Sequence, residues 1–214
     1  MFHVKHSQAM DQAGPLIEEA QELGVELDDV AAQRLLAYEG LLATRGTELG
    51  IISRADVPRI RVRHTLDSLR GVVAIAPSDS SAYDLGAGGG LPGLPVSIAF
   101  SGLRVTLVES RRNRAAFLEL AIDRLGLSNA EVAPGRIEDL SQPTDVCFAR
   151  ALARLPRCWE LAAGLLRPGG RLVYFAGAGF RPEELRDLPG AAAGEILRAP
   201  SLASSGALVI IGRL

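Results

Sequence analysis

The stretch Asp84-Leu85-Gly86-Ala87-Gly88-Gly89-Gly90-Leu91-Pro92-Gly93 decides the fold of this 214-residue chain. It follows a short apolar run at 82–85 and leads into a segment with helical character near 92–100. Glycines permit a tight turn and a close approach of the backbone to a ligand, and open α/β sheets bind ligands at the carboxyl ends of their strands. The stretch therefore predicts a strand, a ligand-binding loop and a helix in succession.

The chain beyond this loop alternates short apolar runs with helical stretches. This alternation is typical of a doubly wound α/β fold with a mostly parallel sheet. Strands are predicted at 82–85, 104–108, 130–133, 145–149, 171–176 and 206–212, and helices near 92–100, 111–126, 154–166 and 181–187.

The N-terminal part, from residue 8 to about 70, shows helical periodicity and no strand pattern. Apolar residues recur at helical spacing after a capping candidate, Asp28: Ala31, Leu35, Tyr38 and Leu42. A further helix is predicted from near Asp56 to Leu69, and a polar loop follows at 77–81. We therefore expect an N-terminal helical subdomain at 1–76 and a ligand-binding domain at 77–214.

Composition excludes several classes of protein. The chain is 48% hydrophobic and 22% charged, the usual balance of a globular protein. No window has the roughly 18 apolar residues of a membrane span, and the start Met1–His6 lacks a signal-peptide core, so we expect a cytoplasmic protein without a membrane partner. Cys147 and Cys158 have no metal-site or disulfide spacing, and no metal is expected. The net charge of −2 means that a nucleic acid would need a local basic patch.

The glycine loop leaves two kinds of ligand open. Gly88, Gly90 and Gly93 satisfy G-x-G-x-x-G, so a dinucleotide-dependent oxidoreductase is one alternative. Three neighbouring features favour S-adenosylmethionine. The Asp84 carboxylate can accept from the ligand's ammonium group, and two prolines after the loop reduce the amides available to a pyrophosphate. The third is the string Leu165-Leu166-Arg167-Pro168-Gly169-Gly170-Arg171-Leu172-Val173, which is typical of methyltransferases.

Other candidate contacts follow later strands at the same edge of the predicted sheet. Glu109 closes the second strand and can accept from both ribose hydroxyls, unless it is only a surface acid. Ile137 and Glu138 follow the third strand, where an adenine ring can lie. Arg150 ends the fourth strand and can clamp the donor's carboxylate or meet a substrate phosphate; the alternative is a solvated arginine.

Two missing motifs narrow the reaction. The fourth strand is not followed by Asn/Asp-Pro-Pro-Tyr, which holds an exocyclic amino group, and no cysteine is placed to attack a pyrimidine ring. Guanine N7 needs neither, because its lone pair attacks a methyl group without loss of a proton. The sequence permits this reaction without demanding it, and it identifies no catalytic base.

In order and spacing these motifs resemble the RsmG (GidB) family of bacterial methyltransferases. Arg63-His64-Thr65-Leu66-Asp67-Ser68-Leu69 is similar to the family's Arg-His-Ile-Leu-Asp-Ser-Leu, and Gly88-Gly89-Gly90-Leu91-Pro92-Gly93-Leu94-Pro95 to its Gly-x-Gly-Leu/Phe-Pro-Gly-x-Pro. The resemblance implies a class I, Rossmann-like enzyme that uses S-adenosylmethionine to form N7-methylguanosine in 16S ribosomal RNA. It implies contacts with S-adenosylmethionine at Gly86, Leu91, Ile137, Glu138 and Arg150. Gly88, in the glycine loop, is a further candidate contact.

The resemblance places the substrate on the helical side of the site. Arg63, His64 and Arg70 are the candidate substrate contacts, within a row of possible phosphate contacts formed by Arg54, Arg59, Arg61, Arg63 and Arg70. The alternatives are a solvated arginine face and a structural histidine. Two departures from the family pattern, Ala149 in place of Ser and Ala176 in place of Lys, bear on RNA engagement rather than on donor binding.

Three functions thus remain to be compared. The first is guanine-N7 methylation of small-subunit ribosomal RNA by a protein that acts as a monomer. The second is methylation of a small molecule, which the acidic overall charge and Ala176 favour. The third is a non-catalytic module that only binds S-adenosylmethionine.

Overall fold

A seven-stranded mixed sheet lies at the centre of the computed structural model, which describes residues 2–202 and 205–214, with side chains from residue 12 onward. Met1 lies outside the described residues. The strand order is β3-β2-β1-β4-β5-β7-β6, and the first five strands in this order are parallel. β7 runs antiparallel to both of its neighbours. The strands are β1 (Ser81–Leu85), β2 (Arg104–Glu109), β3 (Ala130–Pro134), β4 (Thr144–Arg150), β5 (Leu166–Phe175), β6 (Glu195–Leu197) and β7 (Leu208–Gly212). The predicted α/β fold with a mostly parallel sheet is confirmed.

The order of the strands locates the candidate ligand site. From β1 the chain proceeds outward to β2 and β3 and then returns to β4 on the other side of β1. Leu85 of β1 lies in register with Val108 of β2 and Ala149 of β4. The loops that follow these three strands therefore meet at one edge, at the switch point where open α/β sheets bind ligands.

Six α-helices accompany the sheet in the described residues: α1 (Phe2–Gln21), α2 (Asp29–Leu41), α3 (Asp67–Leu69), α4 (Gly93–Ala99), α5 (Arg112–Leu125) and α6 (Leu155–Ala163). The predicted cap of α2 is confirmed, because Asp28 Oδ1 accepts a hydrogen bond from the Ala31 amide at 2.7 Å. The helix predicted near 56–69 is irregular, since 3₁₀ and π turns surround the short α3 between residues 54 and 74. No helix in the described part of the chain has the length and apolarity to cross a bilayer.

The structure differs from the predicted elements mainly in the C-terminal third of the chain. The helix near 181–187 is only a 3₁₀ turn, Pro182–Leu185. The edge strand β6 was not predicted, because three residues are too few to show an alternating pattern. The helix at 154–166 ends at Ala163, and β5 begins at Leu166, earlier than expected. Residues 167–170 bulge out of β5, so the register with β4 resumes at Arg171.

The helical N-terminal part and the sheet share one hydrophobic core. Leu35, Tyr38 and Leu42 from α2 and its continuation are fully buried in the same cluster as Leu94 of α4 and Leu107 of β2. α6 covers the opposite face of the sheet. The chain passes from the helical part into β1 through residues 75–80, where the predicted boundary lies. This packing brings α2 directly beside the glycine loop.

Candidate functional site

The loop after β1 depends on glycine both for its backbone conformation and for its packing. Gly86 and Gly90 have φ angles of +71° and +90°, a region that residues with a Cβ rarely adopt. A Cβ at Gly86 would stand 2.8 Å from Leu152 Cδ1, and one at Gly90 would overlap the side chain of Leu94. The loop therefore brings bare backbone to the switch point.

Asp84 lies beneath this loop rather than at its surface. Its side chain is 1% exposed, and Oδ2 accepts a hydrogen bond from the Gly93 amide at 2.8 Å. Oδ1 has no hydrogen-bond partner among the described residues. Burial raises the pKa of this carboxyl to about 7, although the Gly93 amide and the Arg150 charge oppose the rise. Asp84, predicted as a ligand contact, thus holds the end of the loop against its own strand.

Glu109 lies against the glycine loop at the end of β2. Its Oε2 accepts from the Gly88 amide at 2.9 Å, and its Oε1 accepts from the Arg111 amide at 2.7 Å. Each carboxylate oxygen has a second lone pair, which can accept from a neighbouring hydroxyl group. The structure therefore brings together Gly88 and Glu109, two residues predicted to contact S-adenosylmethionine. Their arrangement fits the two hydroxyls of a ribose.

The turn after β3 lies next to Glu109. The Gly135 amide donates to the Glu109 backbone carbonyl at 3.1 Å, and the 3₁₀ turn Ile137–Asp139 follows. Ile137 is half-buried, whereas Glu138 is exposed and accepts from Arg157 at 2.9 Å. The predicted donor contacts Ile137 and Glu138 therefore lie on the same edge as Glu109. Leu91, in the glycine loop itself, is half-buried against the core.

Arg150 joins the end of β4 to the helical segment. Its Nη2 donates to the Arg63 carbonyl at 2.7 Å and lies 3.2 Å from His64 Nδ1, while its Nε donates to Asp67 Oδ2 at 3.2 Å. The other oxygen of Asp67 accepts from Arg70 Nη1 at 2.7 Å. Arg150 thus contacts three other predicted site residues: His64 directly, Arg63 through its backbone carbonyl, and Arg70 through the shared carboxylate of Asp67, which was not among the predicted contacts.

His64 is neutral at physiological pH. Burial lowers its pKa to about 4, with a further contribution from the Arg150 charge. Because a guanidinium can only donate, Nδ1 of His64 accepts from Arg150, and the ring proton is assigned to Nε2. Nε2 is buried and has no partner in the described part of the chain. His64 therefore orients Arg150 rather than carrying a charge of its own.

The predicted arginine row does not form one exposed face. Arg54, Arg59 and Arg63 are exposed, and the latter two share the Asp56 carboxylate at 3.0 Å and 2.6 Å. Arg61 is half-buried, 3.5 Å from Glu39, and Arg70 is only 5% exposed. The expectation of a single row of phosphate contacts is corrected here, because the irregular helical segment turns these side chains in different directions.

A cleft of about 1070 Å³ opens beside the glycine loop, at the ends of β4 and β5. Its lining includes Arg63, Asp67 and Arg70 of the helical segment, Arg150 at the end of β4, and residues 151–154, 174–181 and Glu184. Ala176, where the family pattern has Lys, lies on the wall of this cleft. Ala149, where the pattern has Ser, is fully buried within β4. Only Ala176 therefore changes the surface that a substrate would meet.

Tyr38 is a site residue that sequence periodicity assigned only to the core. Its hydroxyl donates to the Gly89 carbonyl at 2.6 Å, and burial raises its pKa, so the phenol stays protonated. Ile51 covers the same glycine, because a Cβ at Gly89 would stand 2.6 Å from Ile51 Cγ2. A tyrosine hydroxyl on a buried helix face needs a hydrogen-bond partner. The position of Tyr38 in the apolar pattern of α2 therefore already indicated such a partner, without identifying it.

Replacing Tyr38 by phenylalanine is expected to lower the free energy of unfolding by about 1–3 kcal/mol, because the buried Gly89 carbonyl loses its partner. Urea unfolding followed by circular dichroism measures this change. Tyr83→Phe is the matched control, since the Tyr83 hydroxyl donates to the Gln142 carbonyl at an exposed site; about 0.5 kcal/mol or less is expected. Equal effects of the two variants would contradict a role for Tyr38 in holding the loop.

Solved structures with a similar fold include methyltransferases. An O-methyltransferase from Bacillus cereus in complex with SAH superposes with a TM-score of 0.59 at 16% identity, over 88% of this chain and 92% of that one. TrmN from Thermus thermophilus superposes with a TM-score of 0.54 at 18% identity, over 73% and 52% of the two chains. This chain therefore has the class I, Rossmann-like methyltransferase fold.

The sequence matches the GidB family model, described as rRNA small subunit methyltransferase G, over residues 31–193. The chain belongs to this family. A ribosomal RNA small subunit methyltransferase G of Ralstonia nicotianae is 38% identical over 90% of this chain and 91% of that protein. The protein of the same name from Acidiphilium cryptum is 40% identical over 82% of each chain. The resemblance drawn from the motifs is confirmed, and the protein is a methyltransferase.

Proposed function

We propose that this protein transfers a methyl group from S-adenosylmethionine to N7 of a guanine in 16S ribosomal RNA. The observation that carries the donor half of the proposal is the Glu109 carboxylate, which is bonded to the Gly88 amide at the switch point of the sheet. Membership in a family described as rRNA small subunit methyltransferase G supports the substrate half.

The residues at the edge of the sheet beside the glycine loop fit S-adenosylmethionine, the methyl donor. Glu109 accepts from the ribose hydroxyls, the loop at Gly86, Gly88 and Leu91 follows the backbone of the ligand, and Ile137 and Glu138 border the adenine ring. Asp84 supports the loop from below, where its free Oδ1 can order a water molecule or the ammonium group. When bound, S-adenosylmethionine supplies a methyl group on a positively charged sulfur.

The chain's own contribution to the chemistry is positioning. Guanine N7 reacts through a lone pair that carries no proton, so the site needs no general base, and His64 is neutral and bonded to Arg150. Arg150, Asp67 and His64 form one hydrogen-bonded unit that holds the part of the cleft wall lined by Arg150 and Asp67. Orientation of the base at this wall is the catalytic task that the residues can perform.

RNA approaches, in this proposal, from the side of the cleft. The net charge of −2 provides no general attraction, but Arg63, Arg154 and Arg181 border the cleft and can meet phosphates. Residues 1–76 then supply Arg63 as a substrate contact, while His64 and Arg70 act through Arg150 and Asp67, and residues 77–214 bind S-adenosylmethionine. Because all these groups lie on one chain, we propose that the protein acts as a monomer in the cytoplasm, where ribosomal RNA is found.

Transfer of labelled methyl groups tests the function directly. Small-subunit ribosomal RNA and intact small subunits from cells lacking this protein are incubated with labelled S-adenosylmethionine, and nucleosides are analysed. Labelled N7-methylguanosine is expected, with RNA binding that weakens steeply as salt is added. Donor binding without label in RNA would contradict the RNA substrate and favour a small-molecule acceptor or a non-catalytic binding module.

Replacing Glu109 by glutamine is expected to weaken binding of S-adenosylhomocysteine by about 10- to 100-fold, the value of one or two charge-assisted hydrogen bonds. The new amide NH₂ would also face an N–H donor, at Gly88 or at Arg111. Isothermal titration calorimetry measures the affinity. Glu119→Gln on the exposed face of α5 is the matched control, with unchanged binding expected. An unchanged affinity in Glu109→Gln would exclude Glu109 from the donor site.

A further inference from the structure

The cleft contains a second carboxylate, Glu184, that neither the donor site nor the Arg150 network uses. Only 11% of its side chain is exposed, and it forms part of the lining of the cleft. Its Oε1 accepts from Arg154 Nη2 at 3.0 Å and from the Arg181 amide at 3.3 Å. No described residue donates to Oε2. The site therefore holds a fixed carboxylate with one oxygen free to accept hydrogen bonds.

Aromatic side chains border the same part of the cleft. The rings of Tyr174 and Phe180 have centroids 6.3 Å apart and are tilted by 57°. The Tyr174 hydroxyl donates to the Ala153 carbonyl at 3.1 Å, which holds this ring in place. Ala176 and Gly177, between the two aromatic residues, bring almost no side-chain volume. An open space bounded by aromatic rings and a carboxylate suits a flat heterocycle that carries hydrogen-bond donors.

Guanine is the nucleobase whose donors match this carboxylate. Its Watson–Crick edge presents two adjacent donors, N1–H and the N2 amino group, whereas adenine and cytosine each place a ring-nitrogen acceptor on that edge. An ionised carboxylate only accepts, so it pairs with guanine and opposes adenine or cytosine. N7 lies on the other side of the purine ring system and stays free. Recognition of this edge would therefore leave the reacting atom accessible.

We propose that Glu184 is the specificity-determining residue that selects guanine, by accepting from N1–H and the N2 amino group of the target base. The inference rests on the proposed function, because it names the residue of the methyltransferase site that recognises the target base. Arg154 and the Arg181 amide position the carboxylate through Oε1. Glu184 also caps the 3₁₀ turn Pro182–Leu185, so the test must separate recognition of the base from support of the turn.

Combining a substitution in the protein with a substitution of the target base separates recognition of the base from support of the turn. The modified guanine is first mapped, and RNA carrying inosine at that position is then prepared by ligation and assembled as the guanine substrate is. Inosine lacks only the N2 amino group. For the unchanged protein, kcat/KM is expected to fall about 10- to 100-fold from guanine to inosine, because the carboxylate loses a donor.

Glu184→Gln is expected to abolish or reverse this preference. The glutamine NH₂ would face the N2 amino group of guanine, and inosine removes that conflict. The ratio of kcat/KM values for guanine and inosine should therefore fall to about 1 or below. Glu183→Gln, an exposed neighbour, should retain the preference of the unchanged protein.

The outcomes separate the inference from the function on which it rests. If the unchanged protein methylates guanine and inosine equally, Glu184 does not read the N2 amino group, and this result needs no variant to fold. If Glu184→Gln lowers both activities by the same factor, the residue serves only the turn, and the inference is overturned. Failure of the unchanged protein to methylate guanine in any small-subunit RNA would overturn the proposed function, and the inference would fall with it.

Discussion

Replacing Asp67 by asparagine is expected to lower the free energy of unfolding by about 3–5 kcal/mol. Asp67 is 8% exposed and shares its two oxygens between Arg70 and Arg150. Without its negative charge, the guanidinium of Arg70, itself 5% exposed, is left buried and uncompensated. Urea unfolding followed through the fluorescence of the single tryptophan, Trp159, measures the change.

Asp123→Asn is the matched control for this substitution, because Asp123 lies on an exposed position of α5, where a change of about 0.5 kcal/mol or less is expected. A second variant isolates the ion pair. Arg70→Met in the Asp67→Asn background removes the uncompensated charge and should recover part of the lost stability. A loss below about 1 kcal/mol in the single variant would show that Asp67 does not hold the two arginines together.

Gly93→Ala is the second substitution with a large expected effect, a loss of about 3 kcal/mol in the free energy of unfolding. The added Cβ would collide with Leu107 Cδ2 and stand 2.7 Å from Asp84 Oδ2 and 2.9 Å from Asp84 Cβ. Relief requires movement of a buried loop, which costs about 1–3 kcal/mol, and breaks the hydrogen bond from the Gly93 amide to Asp84, worth about 1.5–3 kcal/mol. Binding of S-adenosylhomocysteine should weaken in parallel, since the loop moves with Gly93.

The same chemical change at Gly40 provides the control. Gly40 lies within α2, and a Cβ built there meets no atom within 4 Å. Alanine should therefore stabilise the helix by about 0.5–1 kcal/mol. Thermal and urea unfolding of both variants compare one substitution in two environments. A Gly93→Ala protein as stable as the unchanged chain would mean that the loop is not packed as tightly as its contacts with Asp84 and Leu107 indicate.

Local patterns predicted those parts of the fold that depend on neighbouring residues. β1, β2 and β4 lie within one residue of their predicted bounds, because parallel strands buried on both faces appear as short apolar runs. The prediction that Glu109 lies at the same edge as the glycine loop followed from a general rule for the first two strands of such sheets, whereas its bond to the Gly88 amide was seen only in the structure. β6 was not predicted, and the helix predicted near 181–187 is only the 3₁₀ turn Pro182–Leu185, since elements this short carry too little local pattern to define their type.

The sequence by itself determined the class of fold, the position of the glycine loop and the family to which the chain belongs, because spacing along the chain carries these features. The tertiary structure decided where the polar side chains point. Arg150 bonds to a helical segment more than 80 residues away, Asp67 joins it to Arg70, and Tyr38 reaches a loop carbonyl 51 residues distant. Such contacts form when packing removes charges and hydroxyls from water and requires a partner for each, and that partner is chosen by proximity in space.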